Sequence, residues 1–213
     1  MEITFASSAF PPLALGFFGL GTGYLIWGPR ELLGWPKPVE RVERALGDER
    51  VDRPLAAERL DRSLGVWGIW LPGFCQFVTG VILFVGLTWL QVFTDNPALY
   101  MAALAFSAYG IHWFAIGWNR YRGNDPRTNA GMCVAFMVIS ALGATVFFKV
   151  KDWPVGLLFL GLFGVYFFEF FATLRVPFAE RFLGLVRTAT GGWLMYLTYA
   201  VVVDLAIGYH WRT

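Results

Sequence analysis

The stretch AFSAYGIHWFAIG, residues 105–117, decides the fold. It lies inside a run, 97–118, that holds no Asp, Glu, Lys or Arg, yet Ser107, Tyr109 and His112 stand at its centre. A helix needs about 20 mostly apolar residues to cross the roughly 30 Å hydrocarbon layer, where the backbone must satisfy its own hydrogen bonds. Residues 97–118 meet that length, and the polar groups inside then become candidates for function, because polar side chains are costly in lipid.

Five further runs read the same way, giving spans at about 9–28, 66–90, 97–118, 130–148, 154–174 and 185–207. The composition agrees. Hydrophobic residues make up 57% and charged residues 15%, whereas a soluble domain carries about a quarter charged, so too little polar surface exists to cover a globule in water. The sequence predicts an all-α membrane protein: a six-transmembrane-helix bundle forming a single domain, 1–213, with the bilayer as its surroundings. The net charge of +2 is small and its basic residues fall in connections, which excludes a nucleic-acid partner. The first 29 residues hold no Lys or Arg and no clear small-residue cleavage site, so the first helix is expected to stay. Trp27, Trp67, Trp89, Trp118 and Trp153 lie near span ends, as an interfacial aromatic belt would place them.

Eight basic residues follow the first span, three follow the third (Arg120, Arg122, Arg127) and three follow the fifth (Arg175, Arg181, Arg187). Lys149, Lys151 and Arg212 face the other side, so charge alone puts both termini outside. The hydrophilic connection at 29–64, PRELLGWPKPVERVERALGDERVDRPLAAERLDRS and its neighbour, alternates acid and base at helical spacing. Two readings stand: short amphipathic helices on the membrane surface, broken at Gly47 and Pro54, or a solvated connector.

The strongly polar candidates inside spans are Gln76, Tyr109, His112, Glu169 and Asp204. Tyr109 and His112 are three apart and share a helix face. Glu169 stands in YFFEFFATL among phenylalanines and is either protonated or paired, with His112 or with Arg175; equally, it simply pairs with an arginine to hold its helix. In LALGFFGLGTGY, 13–24, Gly16, Gly19 and Gly23 follow three- and four-residue spacing, which either brings helices close or leaves room for a solute. Cys75 and Cys133 lack CxxC spacing and read as small buried side chains. His112 and His210 provide no metal- or haem-binding set, and no nucleophile–base spacing occurs, so neither an enzyme nor a cofactor or metal is expected.

Four patches, in order, resemble the acetate–succinate transporter family (the YaaH/SatP permeases). They are AFPPLALGFFGLGT at 9–22, PGFCQFVTG at 72–80, AFSAYGIHW at 105–113 and GGWLMYLTYAVVVD at 191–204. The resemblance implies six helices around a substrate path in each protomer of a homo-hexamer in the plasma membrane, with the termini inside. It implies passage of small monocarboxylates such as acetate, and in some members succinate, channel-like or coupled to protons. It further implies a constriction of Phe18, Tyr109 and Phe163 or its neighbour Leu162, with Gln76, Gly19, Thr22 and Ser107 lining the path. Leu83 and Val201 stand where the family carries glutamates, which leaves His112 and Glu169 as candidates for a proton step. The alternative is an accessory subunit that kept the fold without transport. A polar-lined path past Tyr109 favours the first reading, and an aromatic plug favours the second.

Overall fold

The computed structural model describes residues 9–37 and 53–207, and among these no strand occurs. Seven α-helices follow one another: α1 Phe10–Leu33, α2 Arg53–Gly68, α3 Cys75–Thr88, α4 Leu99–Arg122, α5 Ala130–Lys149, α6 Trp153–Thr173 and α7 Ala179–Ile207. A π-helical stretch, Ile69–Phe74, joins α2 to α3 without a break, so they form one rod. Pro72 lies inside that stretch. A proline has no N–H and its ring crowds the preceding turn, and local widening to the π spacing accommodates both.

Among the described residues five stretches are long and apolar enough to cross a membrane: α1, 56–88, α4, 126–149 and α6. The chain is therefore a multi-pass, all-helical membrane protein. At 1.5 Å per residue the 29 residues of α7 reach about 43 Å, although its first turns carry Glu180, Arg181 and Arg187.

Each rod packs on its chain neighbours, and α7 returns to lie along α1, so the rods close into a ring in chain order. The seam between α4 and α5 is the loosest. Lipid tails are as apolar as leucine, so close van der Waals contact must hold such a ring together. Glycine makes that contact possible. A Cβ on Gly184 of α7 would lie 2.7 Å from the Gly28 carbonyl oxygen of α1, and one on Gly110 of α4 would lie 2.5 Å from the Phe77 nitrogen of α3.

The spans differ from the sequence reading at their ends. α1 continues past 28 to Leu33 and stops at Gly34, whose φ of 68° lets the chain leave the helix. The second rod begins at Arg53, so Pro54 falls in its first turn instead of breaking a surface helix; proline is tolerated there because the N–H it lacks has no helical partner. Gly47 and the rest of 38–52 lie outside the described residues, as does His210. Trp27 leaves the expected aromatic belt: it is 4% exposed and donates its indole N–H to the Leu64 carbonyl at 3.0 Å, whereas Trp67, Trp89, Trp118 and Trp153 are exposed.

Candidate functional site

Two cavities enter the ring from opposite ends. The first, about 310 Å³, descends from Asp95, Asn96 and Asp152 in the connections to Gln76, Tyr109 and Leu162. The second, about 600 Å³, opens among Asp61, Arg62 and Asn124 and reaches Trp27, Glu169 and Arg187. Their inner limits fall in register on three helices. The first ends at Leu20 on α1, Tyr109 on α4 and Leu162 on α6, and the second begins at Trp27, Ile116 and Glu169. On each helix the gap is seven residues, two turns, or about 10 Å.

Those two turns are filled with rings. Tyr24, Trp113 and Tyr166 are each 1% exposed. Tyr166 stacks on Tyr109 with centroids 5.6 Å apart and meets the His112 ring at 5.4 Å, while Tyr24 meets Trp113 at 5.8 Å. Phe136 of α5 closes the loose seam, 5.0 Å from both His112 and Tyr166. Some polar atoms within the plug pair with one another, while the Trp113 indole N–H has no partner among the described residues. Ser140 Oγ donates to the Phe136 carbonyl at 2.7 Å, so its single proton is taken and the Tyr109 hydroxyl donates to Ser140 at 2.9 Å. The Tyr166 hydroxyl lies 3.3 Å from His112 Nδ1, and His112 Nε2 has no hydrogen-bond partner among the described residues.

The first cavity is walled by apolar side chains, Phe17, Phe106 and Leu158 among them, around one interior amide. Gln76 is fully buried, and neither its Oε1 nor its Nε2 has a hydrogen-bond partner among the described residues. At the rim, Asp152 caps α6 by accepting the Val155 N–H at 3.3 Å. Burial holds its carboxyl above the usual carboxylate range, against the opposing pull of that N–H.

The second cavity is built on charge. Arg187, 2% exposed, donates to Glu31 and lies 3.0 Å from Glu169 Oε2. Arg120 stands 3.8 Å from Glu31 and 2.9 Å from Asp61. Both guanidinium groups lie over the Trp27 ring, Arg120 at 4.5 Å and Arg187 at 5.4 Å. The network ties α1, α6 and α7 together with the middle of α2 and the end of α4.

Of the residues expected to form the constriction, Tyr109 and Leu162 are 2% exposed and face the first cavity together. Phe18 and Phe163 do not join them: they are 45% and 37% exposed on the outside of the ring. Successive helical residues point about 100° apart, so a slip of one residue exchanges interior for lipid, and Phe17 holds the place expected of Phe18. Gly19 does not line the path either, because it seats the π-helical stretch: a Cβ there would lie 2.7 Å from the Leu71 carbonyl oxygen. Ser107 is occupied in the crossing of α3 and α4, since a Cβ on Gly80 would meet its backbone nitrogen at 2.6 Å. Thr22 and Asp204 line neither cavity, whereas Gln76 lines the first. Glu169 pairs with Arg187 and not with Arg175, which lies six residues on and beyond the end of α6.

Sequence reading missed Glu31, Arg187 and the inward turn of Trp27. Spans cut at 28 and begun at 185 leave both charges at the edges, where they read as parts of connections. The available signal was Glu169 itself: a carboxylate among phenylalanines requires a cation nearby, and Arg187 lies within the α7 that packs against α6.

Comparison of the chain with protein-family models, with curated proteins and with solved structures gave no match.

Proposed function

We propose that the chain passes a small carboxylic solute, acetate-like in size, through the centre of each protomer, with α7 as the sixth span. The observation that carries this reading is the pair of opposed cavities, in register on α1, α4 and α6 and separated by two helical turns of rings. A path closed at its middle and open at both ends is what a gated passage requires in its shut state. At about 310 Å³ the first cavity is at the small end of ligand-sized sites, which suits a solute of few atoms. The sequence resemblance to acetate–succinate transporters points the same way. It is the basis for proposing a homo-hexamer in the plasma membrane.

The arginine-rich connections lie at the end that holds the second cavity. Under the positive-inside rule that end is cytoplasmic, and the first cavity faces outward. For a proton-coupled passage His112 is the candidate the geometry keeps, because it stands between the cavities with Nε2 unpartnered among the described residues. Glu169, already paired with Arg187, holds α6 to α7 in this reading.

A non-transporting subunit is the second reading, favoured by the rings that fill the two turns. Flux of isotopically labelled acetate into proteoliposomes of the full chain separates the two. Transport predicts protein-dependent uptake that falls at least fivefold in Leu162→Trp, which crowds the floor of the first cavity. Uptake no faster than in protein-free vesicles would exclude the transport reading.

A further inference from the structure

We infer that the first cavity binds its solute uncharged, as a carboxylic acid or a primary carboxamide, with Gln76 as the recognising group; this rests on the transport reading and names the form in which the solute crosses. The cavity is lined by an amide whose donor and acceptor both lack partners among the described residues, 0% exposed, in an enclosure that is apolar below its rim. A buried amide left in that state is unfavourable, and an occupant that completes it is favoured accordingly. Gln76 Nε2 needs an acceptor and Oε1 needs a donor, on neighbouring atoms of the same small molecule. A carboxylic acid or a primary carboxamide presents C=O beside O–H or N–H and satisfies both at once. A carboxylate has no donor, and it would set a negative charge against the Oε1 lone pairs.

The surroundings exclude the anion on a second ground. No Lys, Arg or His is among the described residues that line this cavity, and its rim carries the carboxyl groups of Asp95 and Asp152. An anion entering would lose its hydration without a counter-charge while passing two acids. The cations of this protein's interior, Arg187 and Arg120, stand on the far side of the aromatic plug in the second cavity. The molecule thus divides the solute's needs: an uncharged, hydrogen-bonding first site, then a charged second one. Tyr109 does not supply the missing donor at the floor, because its hydroxyl proton is directed to Ser140.

Saturation-transfer NMR on the detergent-solubilised full chain at pH 8, with acetamide and acetate as probes, tests this directly. Acetamide keeps the same charge at every working pH, and acetate at pH 8 is the anion. The expected result is a transfer signal for acetamide at least five times that for acetate, lost in Gln76→Leu. Leucine replaces two unpartnered polar atoms with apolar ones of similar size, so this variant is expected to keep its melting temperature; the contrast between the two probes on the wild-type chain needs no variant at all. Equal signals for acetate and acetamide, or an acetamide signal untouched by Gln76→Leu in a folded variant, would overturn the inference. Acetamide binding without solute flux would instead overturn the transport reading and leave the site standing. Acetate flux that acetamide does not inhibit would do the reverse.

Discussion

Replacing Arg187 by methionine removes the cation that two buried carboxylates share. The side chains of Glu31 and Glu169 are 6% and 7% exposed, and Arg187 bridges them from α7. The remaining cation, Arg120, is 3.8 Å from Glu31 and already 2.9 Å from Asp61. Breaking a buried pair by deleting one partner costs about 3–5 kcal/mol, most of it from the charge left without compensation. For a chain of this size that corresponds to a melting temperature lower by about 6–20 °C. Neutralising all three groups together, as Glu31→Gln, Glu169→Gln and Arg187→Met, removes the uncompensated charges, and the loss is expected to shrink to about 2 kcal/mol or less. Arg181→Met, at an exposed position of the same helix, is the control and is expected to change stability by less than about 0.5 kcal/mol. The assay is thermal unfolding of the purified protein in detergent, followed by tryptophan fluorescence, because Trp27 stacks under both guanidinium groups. A single variant that melts within 2 °C of wild type, or a triple variant that loses as much as the single one, would refute the compensation argument.

Three further outcomes are expected. Tyr166→Ala removes the ring that meets Tyr109, His112 and Phe136, and should raise passive solute leak through the protomer at least fivefold in liposome-swelling measurements. Gly184→Ala places a methyl about 2.7 Å from the Gly28 carbonyl oxygen, a backbone atom with little freedom to yield, and should cost about 1–3 kcal/mol in thermal unfolding. Asp125, at the start of the turn into α5, is held at about 2, below its ordinary 3.8, by its side-chain hydrogen bond to Arg127. A depressed carboxyl contributes stability above pH 4 that disappears as the pH falls towards 2, so Asp125→Asn should lower the melting temperature slightly at pH 7 and flatten its slope between pH 4 and 2.

The sequence made legible what depends on amounts and left open what depends on angles. Span existence follows from the number of consecutive apolar residues, which composition reports directly, so all-helical membrane character was readable from runs such as 97–118. A side chain's direction depends on phase, and phase accumulates at about 100° per residue along rods that are apolar on both sides. In a soluble helix, polar residues mark the outer face. Here lipid and interior both favour Phe and Leu, and nothing in FFGLG distinguishes Phe17, which packs 5.7 Å from Phe106, from Phe18, which is half exposed. Polar residues are less ambiguous, because lipid disfavours them: of the five singled out by chemistry, Gln76, Tyr109, His112 and Glu169 turn inward, while Asp204, near the end of α7, lines neither cavity.

The same reasoning explains why the charged half of the interior was the less visible half. A charge within one or two turns of a span end has two inexpensive positions, in water or in a buried pair, and sequence position alone does not separate them. Glu31 and Arg187 take the buried option because each provides what the other requires, and Glu169, about one turn inside the end of α6, makes one cation necessary for two acids. Such a set is recognisable in advance by charge balance: a carboxylate fixed in an apolar run requires a cation within reach, and the search belongs on every rod that packs beside it, including the first turns that a hydropathy threshold cuts away. In this chain that search ends on α7, which lies against both α6 and α1, at the buried Arg187 and not at the exposed Arg181.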